Sequence, residues 1–222
     1  MDRTRPHGSP QAEAAPRRRD AARNRELLLA AAHAVYAEHG VEAPIDVIAR
    51  RAGVGNATLY RHFPDRGALV EEVFREALGR IREQGERART AEDAWAGLCG
   101  YLDAVFGMLA ADRGANDLMT TGLSGVPSLD ALHAHNRETL AALLGRARAD
   151  GTVRPDATTE DLLLGLLALG RVVPALASVE AGAWRRPLAL LLDGLRSRTE
   201  ADLPGPHLTE RQFASVLADF RT

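Results

Sequence analysis

At 222 residues, with 45% hydrophobic and 26% charged content, the chain holds enough apolar material for a small domain beside a larger one and is unlike a disordered protein. Its formal net charge of -2 excludes a uniformly basic nucleic-acid coat, and its single cysteine excludes an internal disulfide framework and fits a reducing compartment. No run reaches the roughly 20 apolar residues of a membrane span and the N-terminus has no apolar signal core, so the expectation is a soluble cytoplasmic protein with no membrane partner.

Residues 1–19 are rich in Arg, Pro, Gly and Ala without periodicity and are expected to form a disordered tail. Arg17, Arg18 and Arg19 are either a solvated run or an arm that reaches flanking DNA. Asp20 is placed as the cap of a first helix carrying Leu28, Ala32 and Val35 on one side and stopping at Gly40. Residues 45–66 then read IDVIARRAGVGNATLYRHFPDR, two short helical patterns broken at Gly53-Val54-Gly55. Ile48 and Ala52 share a face of the first, and Leu59 and Phe63 share a face of the second. Ala49 is small where the helices would cross, Gly53 supplies a permissive backbone and Val54 fills the corner, so the window predicts a helix-turn-helix. Asn56, Ala57, Thr58, Tyr60, Arg61 and His62 are left on the outer face of the second helix. A helix of this kind fits the major groove of B-DNA, where short polar side chains reach base edges and phosphates.

With LLLAAAHAVYAEHG before it and GALVEEVF after it, the stretch 23–76 resembles the DNA-binding domain of TetR-family transcriptional regulators. The resemblance implies that Asn56 to His62 is the recognition helix. It also implies that Tyr60 and His62 touch phosphates and that Asn56, Ala57, Thr58 and Arg61 lie nearest the bases. Arg66 stands where the family usually has a phosphate-binding Lys, which keeps the charge and alters the geometry. Pro44 stands where a capping Ser or Thr is common and offers no hydroxyl. Charge is distributed in keeping with a DNA-binding end. Residues 1–66 hold 11 Arg against 8 acidic residues, whereas residues 67–222 hold 17 against 22.

A connecting helix is expected over about 65–84, with Leu69, Val73 and Leu78 along it. Further helices are expected at 91–111, 116–122, 129–150, 159–178, 184–198 and 209–220, with breaks at Arg113-Gly114, Gly122 to Pro127, Asp150-Gly151 and Gly205-Pro206. Thr158 and Asp161 have capping-box spacing. The fold class is all-α, with a head over 20–66 and a ligand-binding and dimerisation body over 67–222.

DLLLGLLALGRVVPALA at 161–177 and LALLLDGL at 188–195 are apolar on nearly every face and must be covered on all sides. Leu162, Gly165, Leu166, Leu169, Leu188, Leu191 and Leu195 are the candidate interface of a homodimer, as the family resemblance implies; burial in a monomer core is the other reading. Trp95, Phe106, Met108, Leu109, Met119 and Leu123, with the polar His133 and Asn136 on one helical face, are candidates to line a cavity for a small-molecule effector, or else ordinary core. His133 and His135 are two residues apart, a spacing that does not suit a shared metal, and no metal or cofactor is expected. Cys99 reads as a small buried hydrophobe rather than a redox sensor. No catalytic motif is present, so an enzyme is not expected. The reading is a DNA-binding regulator, a repressor of a double-stranded operator released by an effector of unknown identity. A DNA-binding dimer controlled by a protein partner or by no ligand, and an α-helical enzyme, are the alternatives.

Overall fold

The computed structural model describes residues 11–121, 123, 125–196 and 202–219. They form α1 (Gln11–His39), α2 (Ile45–Arg51), α3 (Asn56–His62), α4 (Arg66–Arg89), α5 (Ala94–Ala111), α6 (Arg113–Thr121), α7 (Pro127–Ala149), α8 (Thr159–Val179), α9 (Arg185–Gly194) and α10 (Glu210–Asp219). The architecture is all-α as expected; among the described residues the β pairing is one isolated bridge between Val153 and Arg196.

The helix starts follow local chemistry. Asp65 and Asp93 accept from the backbone N–H groups of Ala68 and Ala96 at 2.8 and 3.0 Å. The capping box at Thr158 is present in both directions, with Asp161 N–H on the Thr158 hydroxyl at 3.1 Å and Thr158 N–H on Asp161 at 2.9 Å. Three expected boundaries are corrected. The first helix begins at Gln11 rather than at Asp20, because the Ala, Glu and Arg residues around Pro16 favour helix strongly enough to extend it back through residues expected to be a tail. Arg17, Arg18 and Arg19 therefore lie on helix; Arg3 and Arg5 lie outside the described residues. The break expected at Arg113-Gly114 falls one residue earlier, at Asp112, which accepts from Ala115 N–H at 3.0 Å. Gly114 is instead a contact glycine, since a Cβ there would come within 2.9 Å of Phe74 and 3.2 Å of Tyr36. The connecting helix continues past Gln84 to Arg89.

The head packs Leu28, Val35 and Tyr36 of α1, Ile48 and Ala49 of α2, and Leu59 with Phe63 at the end of α3 into one buried cluster. Tyr36 and Phe74 stack at 6.0 Å, tying α1 to α4. In the body, α4 packs on α5 and α7, and α5 lies among α4, α6, α7 and α8. Two helices, Ala94–Ala111 and Thr159–Val179, are long and apolar enough to cross a membrane by length and composition. Both runs are longer than the sequence reading allowed, because interspersed Gly, Asp and Arg residues obscure them, but the core helix of a globular protein meets the same criterion. The first is a central helix of the body. Only 22% of the apolar window in the second is buried, which leaves it a large apolar face.

Candidate DNA interface and effector cavity

The turn between α2 and α3 is built as the sequence requires. Gly53 takes φ +70°, which an L side chain rarely adopts. Val54 N–H bonds to the Ala49 carbonyl at 3.0 Å, and Ala49 is buried where the helices cross. Pro44 precedes α2 with φ -60° and provides no side-chain cap. On α3, Leu59 points into the core while Asn56, Ala57, Tyr60 and Arg61 are exposed and Thr58 is half-buried. Of the six residues that the periodicity of the sequence assigned to the outer face, Asn56, Ala57, Tyr60 and Arg61 are exposed, whereas Thr58 and His62 are half-buried.

Two of the expected phosphate contacts have other surroundings. His62 is half-buried, and its Nε2 is buried with no partner among the described residues. Burial, reinforced by Arg61 and Arg25, lowers the imidazole below its ordinary pKa, so it meets solvent near neutral pH as an uncharged ring with one N–H to donate. Arg66 points into the head. Its Nη1 donates to the carbonyl oxygens of both Val41 and Ala43 at 2.7 Å and so braces the loop from α1 to α2. A side chain placed by sequence at the DNA surface is thus also a strut, because those carbonyls follow a helix end and lack partners within the helix. Arg51, also in the head, is held in a two-point pair with Glu38 at 2.6 and 2.8 Å.

The body contains a cavity of about 470 Å³, within the usual range for small-molecule sites. Phe106, Leu109, Met119, His133 and Asn136, all singled out in the sequence, line it. Tyr101, Asp130, Arg137, Leu163 and the α10 residues Phe213 and Leu217 also line it, and the sequence reading missed them. Phe213 lies in a short segment after a Gly-Pro break, and nothing local signals that α10 folds back on the body. Trp95 and Leu123 are not in the wall. Trp95 shares the general face of Leu102 and Leu109 but lies about two turns beyond the cavity's end, under the guanidinium of Arg196 at 5.4 Å. Leu123 follows α6 and packs against the core. Met108 faces α4 and lines a separate recess of about 170 Å³ with Ala77 and Ile81. His135 points toward α4, where a Cβ on Gly85 would come within 2.4 Å of its ring. Burial raises the Cys99 thiol pKa, as suits a packed side chain.

Polar groups on the cavity wall are organised. The Tyr101 hydroxyl donates to Asn136 Oδ1 at 2.5 Å, and burial raises the phenol pKa strongly. Arg137 Nη1 donates to Glu160 at 2.7 Å and lies 3.9 Å from Glu210, with its guanidinium over the Phe213 ring at 5.2 Å. α6 joins this cavity to the head. Met119 and Thr120 face the cavity, whereas Asp117 accepts from Val41 N–H at 2.7 Å and Asp112 bonds His33 at 3.0 Å.

The residues named for dimerisation are mostly turned into their own chain. Leu162, Leu169, Leu188 and Leu195 are buried. Leu166 lines the cavity, and Gly165 lies beneath Leu191, whose methyl would stand 2.9 Å from an added Cβ. The residues that remain outside are Val172, Val179 and Leu190, at 47%, 86% and 67% exposure. A helix apolar on every side carries no local signal for which side its own chain will cover, and that is why the sequence selected the inner face.

A helix-turn-helix head on an all-helical body defines a DNA-binding transcriptional regulator, and the comparisons with known proteins agree. The model of bacterial regulatory proteins of the tetR family matches residues 28–73, and that of the SbtR-like transcriptional regulator C-terminal domain matches residues 93–197. An HTH-type transcriptional regulator of Staphylococcus aureus (strain USA300) is 40% identical over 62 residues, 28% of this chain and 34% of that protein, so the match spans about a third of that relative's length. The TetR transcription regulatory protein from Mycobacterium vanbaalenii is 36% identical, over 81% of this chain and 98% of that one, with a TM-score of 0.45. The regulator FadR from Bacillus subtilis, solved in complex with stearoyl-CoA, shares the fold at a TM-score of 0.54 and 19% identity, over 77% of this chain and 99% of that one. The chain belongs to the TetR family of transcriptional regulators.

Proposed function

We propose that the chain acts in the cytoplasm as a homodimeric repressor. Each copy would lay α3 in one major groove of a near-palindromic operator and leave when a small molecule enters the body cavity. The observation that carries the reading is the double attachment of α6, which lines the cavity with Met119 and Thr120 and holds the α1–α2 loop through Asp117. A ligand that shifts α6 or the connecting helix α4 changes the spacing of the two heads. A coupling of about 1 to 3 kcal/mol corresponds to a change in operator affinity of about 5- to 150-fold. FadR from Bacillus subtilis, with its bound stearoyl-CoA, lends support to a ligand in a body of this fold. Val172, Val179 and Leu190 supply the apolar surface for pairing of two chains.

Selection of bound duplexes from a random pool tests the reading. The expected product is a sequence with two inverted half-sites spaced near one helical turn or a multiple of it. Recovery of sequences without two-fold symmetry, or no enrichment at all, would reject a dimeric operator-binding protein.

A further inference from the structure

The charges around the cavity discriminate among effectors. Its walls are chiefly apolar and aromatic, with Leu102, Phe106, Leu109 and Leu163 beside the rings of Tyr101 and Phe213. Among the described lining residues the one guanidinium, that of Arg137, is already held by Glu160 at 2.7 Å, has Glu210 at 3.9 Å, and covers the Phe213 ring. An anionic ligand that used Arg137 would have to displace Glu160 and remain near both glutamates. Asp130 is different. It lies in the first turn of α7, lines the cavity, is exposed, and makes no ion pair or side-chain hydrogen bond among the described residues.

We infer that the effector is a lipophilic cation, an apolar body with a protonated amine or quaternary ammonium group, whose charge is met by the Asp130 carboxylate and whose body lies among the Phe106, Leu109 and Leu163 side chains. Aromatic side chains in the wall other than Phe213, whose ring Arg137 already covers, favour the same sign of charge, because the face of a ring is electronegative. The Tyr101 and Asn136 pair adds a point of polar recognition: its internal hydrogen bond leaves the amide NH2 of Asn136 and the lone pairs of the Tyr101 oxygen for a ligand. This inference rests on the cavity being the effector site of the proposed function.

Titration calorimetry on the full chain, with decyltrimethylammonium, decanol and decanoate as probes below their micelle concentrations, tests it. The expected order is cation, alcohol, anion, with one cation per chain bound about tenfold more tightly than the alcohol. Asp130→Asn should bring the cation to the affinity of the alcohol and leave the alcohol unchanged. Decanoate binding as well as the cation, a cation preference that survives Asp130→Asn, or no binding by any probe would overturn the inference. Gel shifts in parallel separate this from the function. A cation that binds through Asp130 without releasing DNA supports the cavity chemistry and removes the effector role. Release of DNA by decanoate alone keeps the effector role and removes the cation.

Discussion

Replacement of Arg66 by Ala separates a strut from a DNA contact. In the structure Arg66 Nη1 donates to the carbonyl oxygens of Val41 and Ala43, both at 2.7 Å, and those residues are 0% and 4% exposed. A hydrogen bond from a charged donor contributes about 1.5 to 3 kcal/mol. Because one nitrogen serves both acceptors and the side chain is half-buried, about 2 to 3 kcal/mol is the expected loss for the pair. For a protein of this length each kcal/mol moves the midpoint of thermal unfolding by about 2 to 4 °C, so Arg66→Ala should lower it by about 4 to 12 °C. The variant should also bind operator more weakly, because the loop that positions α2 and α3 is loosened. Its log-log dependence of affinity on salt should keep the wild-type slope, since no phosphate contact is removed. Circular-dichroism melts and operator titrations at several salt concentrations measure both quantities. An unchanged melting temperature together with a slope reduced by about 0.9 per half-site would refute the strut and make Arg66 a phosphate ligand.

Tyr60→Phe should weaken binding to operator and to altered operator by the same factor, because Tyr60 is exposed and the partner proposed for its hydroxyl is a phosphate, which carries no base information; a changed base preference in gel shifts would contradict this. Leu190→Glu and Val179→Glu should leave the melting temperature of the chain within a few degrees and yield monomers in sedimentation, since both side chains are exposed in the single chain and a carboxylate in an apolar seam costs several kcal/mol; variants that remain dimeric would remove this face from the interface. Asp156 titrates in a predictable direction. Hydrogen bonds from Arg154 at 2.5 and 2.9 Å, and then from Leu203 N–H at 2.7 Å, hold its pKa at about 2, below the ordinary 3.8. With the folded value depressed, the contribution of this group to stability is complete above the unfolded value and is lost as pH falls from about 4 toward 2. Hydrogen exchange at Leu203 should therefore accelerate, relative to the α7 core, as the pH is lowered through that window; an unchanged ratio would rule the contact out as a tether for the segment that leads to α10.

What the sequence by itself determined was local. The helix-turn-helix is legible because each of its determinants acts within a few residues: the faces of Ile48 and Leu59, the left-handed turn at Gly53, the corner filled by Val54. The Thr158–Asp161 capping box is legible for the same reason. Phe106, Leu109, Met119, His133 and Asn136 could be placed near a cavity by residue type and helical face, and they do line it.

The tertiary structure decided what periodicity leaves free, namely which side of an all-apolar helix its own chain covers. On α8 the body takes Leu162 and Leu169 and the cavity takes Leu166, so Val172 and Val179 are left outside. It also decided that Arg66 turns inward, because the carbonyls of Val41 and Ala43 reach it only after the head has closed. The placement of Phe213 against Arg137 joins residues far apart in the chain, α7 and α10, and pairs at such separation have no signature in either segment alone. Short-range hydrogen bonding and turn conformation are fixed by neighbours in sequence, whereas the orientation of apolar faces and the partners of buried charges are fixed by what packs against them.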